Sequence, residues 1–101
     1  MTSASAERAS AERLKIGIIG AGSMGTLFGY HLAQTCDVRV LEANAQTSAA
    51  IAEHGLQLND EPPRTVHVAA NARELFGSQM LFLFVKAVDT LRALRPFAGE
   101  L

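Results

Sequence analysis

The spacing of apolar positions changes along the chain, and each change marks an element. Leu14 to Ile19 is a near-continuous apolar run, the pattern of a strand covered on both faces in a parallel sheet. From Ser23 to Thr35 the period lengthens. Met24, Leu27, Phe28 and Leu32 recur at helical spacing, while Gly25 and Gly29, four apart, leave one side thin enough to lie close on a sheet. Asp37 to Leu41, with β-branched Val38 and Val40, reads as the second strand. An Ala-rich helix over Thr47 to His54 closes at Gly55, where a left-handed cap is common.

Leu56 to Leu58 and Thr65 to Val68 alternate at period two around the turn-rich Asn59 to Pro63. That predicts two short strands in a hairpin, with His67 on the wetter face. Asn71 is placed to cap a single helical turn, Ala72 to Phe76, ended by Gly77. Met80 to Val85 is six apolar residues in succession, again a strand buried on both faces. Val88 to Phe97 predicts a last helix with Leu91 and Leu94 inward, and Pro96 is too near its end to matter much. Strand and helix alternate, so the fold class is α/β: an open parallel sheet with helices on both faces, three layers deep, with about four strand regions.

Chemistry enters at the first strand-to-helix junction. Gly20, Ala21, Gly22, Ser23, Met24 and Gly25 carry the spacing G-x-G-x-x-G. Three such glycines alone occur in many loops; the strand before them and the helix after them give the spacing its meaning. Gly20 lets the chain turn off the strand, Gly22 keeps a side chain away from an approaching pyrophosphate, and Gly25 lets the helix pack closely. The free N–H groups from Ser23 onward point at the same place, where the helix dipole favours negative charge. A Rossmann-type dinucleotide site follows, against the plainer alternative of a βα turn that uses glycine only for its geometry.

Glu42 ends the second strand 22 residues after Gly20. An acid about 20 residues on accepts hydrogen bonds from the adenosine ribose in this fold. It also repels a 2′-phosphate, and Ala43 to Thr47 contain no Lys or Arg to offset that. NAD is therefore favoured over NADP. Lys86 follows the fourth strand, at the sheet edge where ligands of open α/β folds bind, so it is a candidate contact to phosphate, nicotinamide or a substrate carboxylate. A complete fold of this type has six strands in the order 3-2-1-4-5-6. Met80 to Val85 would then be an edge strand, and an apolar edge invites self-association.

Composition narrows the rest. Of 101 residues, 49% are hydrophobic and 19% charged, with a net charge of -1; clustered Lys and Arg for nucleic acid are missing. No apolar run approaches the roughly 18 residues of a membrane span. Cys36 is the one cysteine, so no internal disulfide forms and a small buried residue is its expected role. Residues 1–14 read as a flexible extension containing Ala-Ser-Ala-Glu-Arg twice, with neither the apolar centre of a secretory signal nor the acid-poor composition of a transit peptide. A cytoplasmic location is expected. His31 reads as a partly exposed surface histidine, His54 as a last-turn residue suited to the helix C-terminus and given no chemistry, and Asp60 with Glu61 as a solvated turn.

Gly-Ala-Gly-Ser-Met-Gly-Thr-Leu-Phe-Gly from Gly20, His-Gly-Leu-Gln-Leu at 54–58 and Phe-Val-Lys-Ala at 84–87 together resemble the N-terminal half of the ketopantoate reductase (2-dehydropantoate 2-reductase) family, from about Lys15 onward. The resemblance implies an oxidoreductase that reduces a 2-oxo acid, typically 2-dehydropantoate on the pantothenate route, by hydride transfer from NAD(P)H. It implies pyrophosphate at Gly20 to Gly25 and the family lysine at Lys86. Many members prefer NADPH and carry a basic residue where this chain has Glu42-Ala43. The family's substrate-site asparagine, catalytic lysine and carboxylate, with a helical C-terminal domain, lie farther along. The expectation is thus 15–101 as a partial dinucleotide-binding domain, without catalytic residues and inactive alone. The alternatives are a stand-alone nucleotide-binding or sensing module, or the cofactor domain of another hydroxyacid dehydrogenase.

Overall fold

The computed structural model describes residues 13–85 and 89–99. Lys86, the start of the expected last helix at Val88, and nearly all of the N-terminal extension lie outside them. Four parallel strands form one sheet: β1 (Lys15–Ile19), β2 (Asp37–Leu41), β3 (His67–Val68) and β4 (Met80–Leu83), in the order β3-β2-β1-β4. β1 is central. It pairs with β2 from Lys15↔Asp37 to Ile19↔Leu41, and with β4 from Ile16↔Met80 to Ile19↔Leu83. Two helices, α1 (Ser23–Leu32) and α2 (Ala45–His54), connect the first three strands.

Side chains alternate across the sheet, so each face has its own core. Ile16, Ile18, Val38 and Val40 face Tyr30 of α1, Ile51 of α2 and Leu56. Ile19 and Ala69 face Leu75 and Phe97 on the other side. This is the three-layer, Rossmann-type α/β arrangement that the strand and helix alternation predicts. Cys36 is buried between α1 and β2, and Arg13 donates to the carbonyls of Ala33 and Cys36 at 3.0 and 2.8 Å. No described helix is long and apolar enough to cross a membrane.

Several expectations need correction. The hairpin is absent: Leu56 and Arg64 make one isolated antiparallel bridge, and the chain then enters the sheet parallel to β2 as the two-residue β3. Pro62 and Pro63 lack the N–H groups that would extend a ladder. Instead, the Tyr30 hydroxyl donates to the Pro62 carbonyl at 2.5 Å and Arg64 donates to the Tyr30 carbonyl at 3.0 Å, pinning this turn to α1. His67 is exposed, on the wetter side.

The apolar stripe of α1 is also not its sheet face. Gly25, Gly29 and Tyr30 are buried, while Met24 is 51% exposed and Leu27 and Phe28 lie outward. The close approach of a thin glycine side leaves large side chains no room beneath the helix. Phe28 leans instead over the sheet edge, its ring stacked on Phe82 and Phe84 at 5.9 and 5.4 Å. α1 ends three residues early in short-range turns, Gln34 N–H to His31 O and Thr35 N–H to Leu32 O. α2 begins two residues early because Asn44 caps it, accepting from Thr47 N–H at 3.0 Å.

β4 stops at Leu83 and is only half-buried, Met80 being 48% exposed, because β1 flanks it on one side alone. Asn71 makes no side-chain cap; the turn after it is a 3-10 turn, Ala72–Leu75. The last helix is α3 (Thr90–Leu94), followed by a 3-10 turn at Arg95–Phe97 where Pro96 cannot continue the α ladder. Leu91 is 79% exposed, and Phe97, 1% exposed, docks in its place.

Candidate dinucleotide site

The carboxyl ends of β1, β2 and β4 meet at Gly20. Its N–H donates to Leu41 O at 2.9 Å, while Phe84 N–H donates to Ile19 O at 2.8 Å, so the chain is held from both sides at the turn and just before it. Gly20 has φ +97°, a region that side chains with a Cβ rarely adopt, and a Cβ there would run into the Phe84 carbonyl oxygen. The turn delivers the chain straight into α1, whose Gly25 lies so close that a Cβ on it would strike the Gly20 carbonyl oxygen. Strand and helix therefore meet at a sharp elbow that larger residues cannot make.

Gly22 caps α1 with extended backbone and no side-chain hydrogen bond; a Cβ at this position would meet nothing within 4 Å. Thr26 N–H is the first to find a helical acceptor, Gly22 O at 2.9 Å. The amides of Ser23, Met24 and Gly25 thus stand at the open, positive end of a ten-residue helix that has no acid in its first turn. Ser23 and Met24 have exposed side chains and bring main-chain groups to the elbow. Thr26 also donates its hydroxyl to Ala21 O at 3.1 Å, which fixes the loop from behind.

Glu42 is half-buried beside this elbow. Its Oε1 accepts from Ala21 N–H and its Oε2 from Asn44 N–H, both at 2.7 Å. Six of the eight predicted site residues, Gly20 to Gly25, form one continuous elbow, and Glu42 touches it. Lys86 lies outside the described residues. Sequence reasoning missed the Ala21–Glu42 bond and the part of Asn44, although an Asn just before an Ala-rich helix is an N-cap signature.

A second cleft, lined by Arg13, Cys36, Asp37, Thr65 and His67, lies at the amino ends of the strands. Ligands of open parallel sheets bind at the opposite ends, which favours the glycine elbow. The elbow fits a diphosphate chemically: bare amides, a positive helix end, and open space above Gly22 that a Cβ would begin to fill.

Comparison with known proteins bears on the family and the fold. The family model described as "Ketopantoate reductase PanE/ApbA" matches residues 16–101. A 2-dehydropantoate 2-reductase from Listeria monocytogenes is 31% identical over 81 residues, covering 75% of this chain and 27% of the relative. Among solved structures, the complex of D-mandelate dehydrogenase with NADH superposes with a TM-score of 0.67 at 28% identity, covering 85% of this chain and 28% of that one. A candidate 2-dehydropantoate 2-reductase from Enterococcus faecalis superposes with a TM-score of 0.71 at 20% identity, a likeness of fold, covering 87% and 30%. The chain thus spans under a third of the length of these relatives. With a family match over most of its length and a Rossmann-type sheet closed by a glycine elbow, the chain belongs to the ketopantoate reductase family of oxidoreductases.

Proposed function

We propose that the Gly20–Gly25 elbow binds the diphosphate of a nicotinamide dinucleotide, and that the chain is the cofactor-holding part of a 2-oxo acid reductase acting on 2-dehydropantoate. The observation that carries this reading is the row of uncapped amides at Ser23, Met24 and Gly25 beneath the open space at Gly22. A bound nicotinamide supplies the hydride for reduction of the 2-oxo group. The residues of this chain hold and orient: the α1 amides take the diphosphate, and Glu42 takes the adenosine ribose hydroxyls. Lys86, three residues past β4 in sequence and the lysine the family resemblance singles out, is the candidate contact to the cofactor or the substrate carboxylate.

Glu42 makes NADH the preferred cofactor, because a 2′-phosphate would lie against a carboxylate with no Lys or Arg within the next five residues. Outside the cofactor, the edge strand β4, open on one side, is the surface for self-association. The likeness to D-mandelate dehydrogenase supports one second reading, a cofactor domain for a different 2-hydroxy acid.

Calorimetric titration with NADH and with NADPH tests the proposal. Tighter binding of NADH is expected. Binding of neither nucleotide overturns the reading, and tighter NADPH binding overturns the use made of Glu42.

A further inference from the structure

The carboxylate of Glu42 is already engaged before any nucleotide is considered. Its two oxygens accept from Ala21 N–H and Asn44 N–H at 2.7 Å each, and those amides belong to different loops, one after β1 and one after β2. Each loop leads into a helix, α1 at Ser23 and α2 at Ala45, so the negative charge sits near two positive helix ends. The bonding continues outward. Ala21 O accepts the Thr26 hydroxyl, and Asn44 Oδ1 accepts Thr47 N–H. Neighbouring Gly20 N–H reaches Leu41 O, the residue before Glu42.

We propose that Glu42 is a positioning residue for the glycine elbow: it ties Ala21 to the start of α2 and holds the Gly20–Gly25 turn in its ligand-accepting shape. The proposal rests on reading that elbow as the dinucleotide site. A carboxylate offers about four lone-pair sites. Two are used by the amides, and two remain for a pair of vicinal hydroxyls. Because charge-assisted bonds hold both oxygens, the side chain cannot turn aside to admit a 2′-phosphate without breaking one of them. Cofactor choice and loop shape are thereby joined in one residue.

The test is amide hydrogen exchange, read residue by residue by NMR on the cofactor-free chain, for the wild type and Glu42→Gln, with NADH and NADPH titrations on the same samples. Gln keeps the size but sets an amino group against one of the two N–H donors. Exchange at Ala21 or Asn44 is expected to quicken about tenfold while the sheet amides of β1 and β2 hold. The ratio of NADH to NADPH affinity is expected to fall about tenfold, a readout that a purely structural tie would not move. Should E42Q fail to fold, Asn44→Pro removes one amide donor, together with the α2 cap, at φ −77°, an angle proline adopts, and leaves the carboxylate in place. Faster exchange at Ala21 and weaker NADH binding are then expected.

Unchanged exchange at both amides overturns the proposal. Faster exchange with an unchanged cofactor ratio overturns the positioning role and leaves only a structural tie. If the wild type binds neither nucleotide, the dinucleotide reading fails, and the exchange rates still decide whether the tie exists.

Discussion

Replacing Gly25 with Ala sets two physical effects against each other. Helix propensity alone says the change stabilises, since Ala is better than Gly in a helix by about 1 kcal/mol. The structure says the reverse. The new methyl would meet the Gly20 carbonyl oxygen, and it would lie 3.0 Å from the carbonyl carbon and 3.5 Å from Phe84 Cδ2. The oxygen cannot step aside, because Gly20 N–H is bonded to Leu41 O and the next residue is held through Ala21 O and Ala21 N–H. α1 must move instead, and overpacking of this kind costs about 1–3 kcal/mol. Contact with main chain puts this case at the upper end, for a net loss of about 2 kcal/mol after the propensity gain.

In a chain of this length that corresponds to a fall in Tm of about 8–16 °C. Gly22→Ala is the matched control. Its methyl meets nothing within 4 Å and its backbone is extended, so the only stability cost is the poorer N-cap, about 1 kcal/mol or less. On the proposed reading, however, the methyl enters the open space that the diphosphate would take, and NADH affinity is expected to fall about tenfold or more. Urea denaturation and NADH titration of both variants give a crossed pattern, stability lost at Gly25 and binding lost at Gly22. A Gly25→Ala protein as stable as wild type would refute the packing argument. A Gly22→Ala protein that binds NADH normally would place the diphosphate somewhere else.

Phe97→Ala is expected to cost about 3–5 kcal/mol, since Phe97 is 1% exposed in the second core, whereas Leu91→Ser, at a site 79% exposed, should stay within about 0.5 kcal/mol; circular dichroism melts decide. The hydrogen bond from His67, followed by that from Ala70 N–H, holds the Glu74 carboxyl below its usual value of 4.5. Its contribution to stability is therefore complete above about pH 4.5 and lost as pH falls through the lowered value; Glu74→Gln should flatten the acid limb of a stability profile, and an unchanged limb would show that the pair adds nothing. Met80→Lys, which charges a half-exposed edge position, should reduce self-association in sedimentation velocity without loss of fold; a wild-type chain that sediments as a monomer at high concentration would remove that expectation.

The order of elements was legible because each depends on a local pattern. β2 stands at Asp37–Leu41 as its Val38 and Val40 indicate, and the elbow is marked by three glycines spaced within six residues. What escaped depended on contacts between distant segments. The segment over 56–68 alternates like a hairpin, but whether it pairs with itself or with β2 is decided by Tyr30 and Arg64, more than 30 residues apart. Leu91 and Phe97 are equally apolar in composition, and only the length of α3 before Pro96 determines which reaches the sheet. The same holds at the site. Glu42 was found from its distance to Gly20, yet its bond to Ala21 needs the two strand ends side by side, which no spacing rule contains.

The location of the site follows from the strand order more than from the glycines. β1 lies between β2 and β4, and the chain leaves their carboxyl ends toward different parts of the fold, α1 and α2 packing on one face and the turn carrying Phe97 on the other. A crevice must open where those connections diverge. Gly20 sits in it, gripped by Leu41 O on one flank and lying against Phe84 O on the other. A motif with the same three glycines at the end of an outer strand would lack one of those flanks. The elbow would then be free to relax, and the α1 amides would no longer be aimed at one place. On the proposed reading, diphosphate binding at this position depends on a central strand with two parallel neighbours, and the glycines are what permit the chain to use it.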